Sequence, residues 1–247
     1  MLDLTEHRQS EKEKARTADL LRLLPRGRKS VLDVGARDGH FSRLLTDYFE
    51  EVTALDLQKP GFEFPRVTTV AGDVTRLPFP ASSFDSVFCT EVLEHIPALE
   101  EACRELMRVA RHEIVIGVPY RQDIRVGRTT CRQCGQINPP WAHVNTFDEP
   151  KLRRLFSGMV VKATCFVGTN NAVTNPFSMM LMDMGGNPWG TYDQEEPCTY
   201  CGAAMAAPNG RPAMSRVCSA VALRLNQLQS VMTPPHASWI HMVFSNS

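Results

Sequence analysis

An apolar run at Val31-Leu32-Asp33-Val34 breaks at Gly35, passes through Ala36-Arg37-Asp38 to Gly39, and resumes as Phe41-Ser42-Arg43-Leu44-Leu45. The pattern predicts a strand, a tight turn and a helix start. Glycine lets a ligand approach the backbone closely, and the first N–H groups of a helix have no internal partners, so a nucleotide-like cofactor is expected at this turn. Short apolar stretches at 31–34, 52–57, 67–70, 84–89 and 113–118 alternate with helical patterns at 39–48 and 98–110. Such alternation predicts an α/β chain with a doubly wound, mostly parallel sheet, whose ligands bind beyond the carboxyl ends of the strands.

The spacing narrows the choice of cofactor. A dinucleotide fingerprint needs G-x-G-x-x-G, and here three residues separate Gly35 from Gly39, so NAD and FAD fit poorly. Asp33 is placed to meet a positively charged or amine-bearing group. Val52-Thr53-Ala54-Leu55-Asp56 is a second strand ending in an acid, at the offset where such folds bind ribose hydroxyls. Ala71-Gly72-Asp73-Val74 precedes Leu77-Pro78-Phe79, and Ser83-Phe84-Asp85-Ser86-Val87-Phe88-Cys89 leads into Glu91-Val92-Leu93-Glu94-His95-Ile96.

These four segments, in this order, resemble class I S-adenosylmethionine-dependent methyltransferases of the small-molecule type, which share a Rossmann-like sheet. The first is similar to that family's D-x-G-x-G-x-G signature, with Arg37 where most members carry the middle glycine. The resemblance covers about residues 28–167 and a terminal strand near 216–225. It implies S-adenosylmethionine as cofactor, with Asp33, Gly35 and Gly39 against its methionine portion and Asp56 on the ribose. It also implies Asp73, with Val74, at the adenine amine and Glu91 in the same pocket. Arg37 reads as a solvent-facing turn residue or as a contact to the methionine portion.

Eight cysteines in a chain of 247 residues with no secretion signal are expected to stay reduced. Cys131-Arg132-Gln133-Cys134-Gly135 and Cys198-Thr199-Tyr200-Cys201-Gly202 are two C-x-x-C-G knuckles, and four thiolates suit the tetrahedral preference of a structural Zn²⁺. Cys131, Cys134, Cys198 and Cys201 are therefore the expected zinc ligands, clipping two insertions into a small subdomain that walls the substrate cleft. A redox pair is the other reading of these thiols. Cys89, Cys103, Cys165 and Cys218 sit in apolar patterns and read as small core residues.

Methyl transfer is an in-line displacement that needs an aligned acceptor and, for a hydroxyl, a base. His143 in Pro139-Pro140-Trp141-Ala142-His143 is the candidate base, His95 a weaker one, and Tyr120 and Trp141 are candidate substrate contacts. Arg121, Arg125, Arg128 and Arg132 would suit an oxyanion on the substrate or form a solvated face. Trp141, Trp189 and Phe177 would form an aromatic wall or a miniature core around the zinc.

The chain is 43% hydrophobic and 22% charged, and 27 Lys plus Arg balance 27 Asp plus Glu. Balanced charge gives no footprint for nucleic acid or an anionic membrane, and no segment reads as a membrane span, so a cytoplasmic enzyme is expected. We divide it into an N-terminal helical segment over 1–27, a methyltransferase domain over 28–225 with zinc-linked insertions at about 121–147 and 168–215, and a tail over 226–247. The first segment is an amphipathic helix ending at Pro25-Arg26-Gly27, a further helix begins at Asp148-Glu149-Pro150, strand 159–167 follows, and Val217–Leu223 is read as the closing strand. The expected partner is a small-molecule acceptor, such as a secondary metabolite or a sugar, methylated on O or N; a homodimer stays open. The alternatives are an RNA or protein methyltransferase that binds through its knuckles, and a non-catalytic scaffold of the same fold.

Overall fold

The structure is a computed structural model that describes residues 8–192, 194 and 196–246. Along the chain come α1 (Glu11–Arg22), β1 (Ser30–Val34), α2 (His40–Leu45), β2 (Glu51–Asp56), β3 (Val67–Ala71), β4 (Phe84–Thr90), α3 (Leu99–Val109) and β5 (Ala110–Pro119). Then follow β6 (Thr129–Thr130), β7 (Ile137–Asn138), α4 (Glu149–Leu155), β8 (Val160–Val167), α5 (Pro176–Met184), α6 (Ala213–Met232) and β9 (Trp239–Ser245). The chain forms two compact units. One comprises Arg121–Thr146 and Thr169–His236; the other takes in the described residues up to Tyr120, Phe147–Gly168 and those from Ala237 on.

The second of these is a seven-stranded sheet in the order β3-β2-β1-β4-β5-β9-β8. Strands β1 to β5 pair in parallel, whereas β9 runs antiparallel between β5 and β8. Order reverses between β1 and β4, which makes the carboxyl ends of those strands the ligand crevice. Both sheet faces are covered: Leu32, Val87, Ile114, Leu106 and Phe244 belong to one core cluster, and Leu20, Val31, Phe88 and Val115 to the other. Helix α1 starts at Ser10, whose side chain accepts from the Glu13 N–H, and it contributes Leu20 to that second cluster. Helix α4 is capped by Asp148, whose carboxylate accepts from the Lys151 N–H, with Pro150 in its first turn.

Two expectations are overturned. Val217–Leu223 is not the closing strand: it lies inside α6, a 20-residue helix that buries only Cys218, Ser219 and Ala222. The closing strand is β9, inside the expected tail, and all seven of its residues are buried. An apolar run of seven residues fits a strand and a helix face equally, and only the longer pattern around it decides.

The other unit holds the two-stranded β6-β7 ribbon and the packed pair α5 and α6. Asn175 caps α5 by accepting from the Ser178 N–H, and Pro176 occupies its first turn. Among the described residues no helix is long and apolar enough to cross a membrane.

Candidate active site and thiolate cluster

At the end of β1 the chain turns on two glycines in the left-handed region, Gly35 and Gly39, both with φ of +78°. Glycine is required for space as well as for φ. A Cβ on Gly35 would lie 2.3 Å from Val92 Cγ2, and one on Gly39 2.3 Å from the Phe62 ring. Arg37 between them also has positive φ, 48°, with its side chain exposed. Turn and second strand are tied together: Asp56 Oδ2 accepts from the Arg37 N–H at 2.9 Å, and Leu55 O accepts from the N–H groups of Gly35 and Ala36. Asp56 Oδ1 accepts from the Leu57 N–H at 2.7 Å. Asp56 thus stands at the tip of β2, holding the glycine turn beside it.

Asp33 lies within β1, ahead of the glycine turn. Its carboxylate is buried and accepts from Ser42 Oγ at 2.5 Å, bracing β1 against α2. Burial pushes its carboxyl up to about 7; the Ser42 hydroxyl opposes this and the Asp56 charge adds to it. Asp73 is exposed after β3, where its Oδ1 accepts from both the N–H and the hydroxyl of Thr75 at 2.8 Å. The Val74 side chain lies in the core, so what this residue can offer a ligand is its backbone.

Glu91 follows β4 at φ 56°, opposite a group the sequence reading missed. Arg16 of α1 is buried, bonded to Glu13 at 2.8 Å and 3.8 Å from Glu91. Burial raises the Glu91 carboxyl, partly countered by Arg16; burial raises Glu94 well above its usual range, with the Glu91 charge adding. Among the described residues, neither carboxylate oxygen of Glu94 has a hydrogen-bond partner on another residue. Beside them Asp19 bonds the fully buried His241 Nδ1 at 2.7 Å, and Lys12 lies over the Trp239 ring. Besides local pairs such as Arg16 with Glu13, three charges of α1 meet partners far along the chain: Arg16 meets Glu91, Asp19 meets His241 and Lys12 meets Trp239. Tyr120, at the end of β5, packs edge-on against Phe166.

In the other unit Cys131, Cys134, Cys198 and Cys201 converge, their sulfurs all within 4.8 Å of one another. Cys131 to Cys201 and Cys134 to Cys198 are both 3.6 Å. Tetrahedral metal–sulfur bonds of about 2.3 Å put sulfurs about 3.8 Å apart, so the cluster fits such an ion. The two knuckles repeat one backbone pattern: Gly135 N–H donates to Cys131 O, Gly202 N–H to Cys198 O, and both glycines have positive φ. Burial works against the Cys198 thiolate, yet the N–H groups of Tyr200 and Cys201 and the Asn138 amide outweigh it and bring the thiol down to about 6.

Met205, Tyr192 and Ala203 pack around these thiols. Trp141, Trp189 and Phe177 are exposed instead, so they are not the miniature core around the cluster. His143 is buried with Nδ1 held 2.6 Å from Gln122 Oε1, and its ring neighbours Trp141. Of the arginines considered for an oxyanion, Arg125 is engaged by Asp123 at 2.7 Å and Arg128 by Asp183. A cavity of about 310 Å³ in this unit is lined by these two arginines, Trp189, Met182, Leu223 and Asn226, but by none of the cysteines, Tyr120, Trp141 or His143.

Residues 32–115 match the model of the methyltransferase domain family. A malonyl-[acyl-carrier protein] O-methyltransferase of Salmonella typhimurium is 32% identical over 138 residues, 53% of this chain and 54% of that protein. A probable S-adenosylmethionine-dependent methyltransferase of Mycobacterium tuberculosis is 28% identical over 152 residues, 58% of this chain and 54% of its own. The chain thus spans about half the length of these curated relatives. Among solved structures, the YcgJ protein of Bacillus subtilis superposes with a TM-score of 0.55 at 15% identity, covering 94% of this chain and 97% of that one. A 1,6-didemethyltoxoflavin-N1-methyltransferase of Burkholderia thailandensis, solved with S-adenosylhomocysteine, superposes with a TM-score of 0.53 at 16% identity, covering 98% and 83%. Strand order, glycine turn and these likenesses agree on the fold, a Rossmann-like sheet, and residues 32–115 are similar to the methyltransferase domain family.

Proposed function

We propose that the chain transfers a methyl group from S-adenosylmethionine to an O or N atom of a small molecule. The observation that carries this reading is the tie between the glycine turn and Asp56 beside the switch point of the sheet, within the stretch that matches the methyltransferase domain. Asp56 would hold the ribose hydroxyls and Asp73 the adenine amine. Gly35 and Gly39 would let the methionine portion pass close to the backbone, and Asp33, buried near neutrality, would be drawn to its charged form by the ligand's positive charge. Glu91 would lie in the same pocket and Val74 would contribute its backbone. When bound, S-adenosylmethionine supplies an electrophilic methyl group on a sulfonium.

The work left to the chain is alignment and proton removal. Our candidate for the base is His143, whose ring orientation is held by Gln122, and our candidates for acceptor contacts are Tyr120 and Trp141. The four cysteines would hold a structural Zn²⁺, with Asn138 and the knuckle N–H groups supporting the thiolates. The test is to incubate the protein with methyl-labelled S-adenosylmethionine and a cell extract separated into small molecules, RNA and protein. Label appearing in the small-molecule fraction, and falling with Tyr120→Ala, supports the reading; label in RNA or protein alone, or none, refutes it.

A further inference from the structure

Helix α6 buries one face through Cys218, Ser219 and Ala222 and leaves Met214, Val217, Val221, Leu228, Val231 and Met232 between 45% and 84% exposed. Met214, Val217, Val221, Leu228 and Val231 recur at three- and four-residue steps, and Arg224 takes the one remaining place in the series. The result is a single stripe about 26 Å long at 1.5 Å per residue. A shallow groove lined by Ala220, Val221, Arg224, Leu225 and Leu228 follows it. An apolar patch of this extent marks an interaction surface.

We propose that α6 pairs antiparallel with α6 of a second copy of this chain, about a two-fold axis passing between Ala222 and Leu223. That operation sets Met214 against Val231 of the partner subunit, Val217 against Leu228 of the partner subunit, and Val221 against Arg224 of the partner subunit. The stripe is therefore complementary to itself, as an isologous contact requires. Charge selects the direction. The helix carries Arg216 and Arg224 and no acid, and Arg224 is the one in the stripe, so a parallel pair would face Arg224 with its own copy. The antiparallel pair instead lays the aliphatic stem of Arg224 along a valine and sets the two guanidinium groups one layer apart rather than face to face. The exposed stripe side chains offer on the order of 700 Å², close to the roughly 800 Å² per partner of a standard stable interface. Phe177, Met180 and Met184, exposed on α5, add apolar surface to the same unit.

Analytical ultracentrifugation of the full chain at micromolar concentration tests this. The wild type should sediment at twice its 27.6 kDa. Leu228→Glu places a carboxylate against a valine and should give a monomer, and Val217→Glu, the matching position, should do the same. Val221→Glu places its carboxylate against Arg224 of the partner subunit; it should remain dimeric at low salt and dissociate as salt rises. Coincident thermal melts of wild type and variants separate lost pairing from lost fold. A wild type monomeric throughout, including one that instead floats with anionic phospholipid vesicles, overturns the proposal, as does dissociation of Val221→Glu and Leu228→Glu alike at low salt.

Discussion

Arg37 shows how a side chain can depart from a motif while the backbone keeps it. The residue holds the left-handed conformation that a glycine would adopt freely, and its N–H still reaches Asp56. A β-carbon in that conformation costs about 1 kcal/mol, so Arg37→Gly should raise the melting temperature by roughly 2–4 °C in a chain of this size. A lowered melting temperature would mean that the exposed side chain makes a contact worth more than the strain. Gly35→Ala should act in the opposite direction, because its Cβ meets Val92 and its φ is unfavourable, and a melt that does not drop would contradict this.

Asp33 carries a pH dependence of its own. A carboxyl near 7 in the folded protein and near 3.8 when unfolded favours folding in its protonated form. Its contribution is complete below about pH 4 and is lost as pH rises toward 7, by at most about 4 kcal/mol at roughly 1.4 kcal/mol per pH unit. Denaturant unfolding of Asp33→Asn without cofactor should therefore lose less stability than wild type between pH 4 and 7. Parallel profiles for the two proteins would show that Ser42 and the protein around it already stabilise the charge.

At the scale of elements, β1 to β5 and their helices are legible because each strand is a short apolar run closed by a turn residue or an acid. The end of the chain is not. β9 is buried on both faces between β5 and β8, so it shows no alternation, and Pro234-Pro235 just before it suggests a tail. Within α6, Val217 and Val221 point outward while Cys218 and Ala222 point in, and together they make one apolar run that mimics a buried strand. The knuckles are legible because their chemistry is local, four residues and a glycine each. The buried charges of α1 are not, since Arg16 meets Glu91 and Asp19 meets His241 only through the fold.

These elements differ in what should hold them. Chelation of metal, or Cys198→Ser, should remove zinc from the protein and melt the cysteine-bearing unit in hydrogen exchange while β1, β4 and β5 stay protected. Unchanged exchange in that unit and no zinc by elemental analysis would refute the metal. Removing residues 234–247 should instead unfold the sheet, because β5 and β8 lose the strand that joins them. Native circular dichroism in that truncation would contradict the central place of β9.

For the molecule as a whole, the sheet, its switch point and the acids at the strand tips were readable from four short segments. What they do not reveal is the acceptor. Methyl transfer leaves few obligatory residues, so Tyr120, Trp141 and His143 carry no pattern as specific as the glycine turn. The cofactor end is therefore the firmest ground on which to test the account. Isothermal titration of S-adenosylhomocysteine into wild type and Asp56→Ala is the direct measurement. The account predicts a single site in the wild type and at least about tenfold weaker binding in the variant, a loss of about 1.4 kcal/mol from a charged hydrogen-bond acceptor. No heat with the wild type, or equal affinity for both proteins, would contradict it.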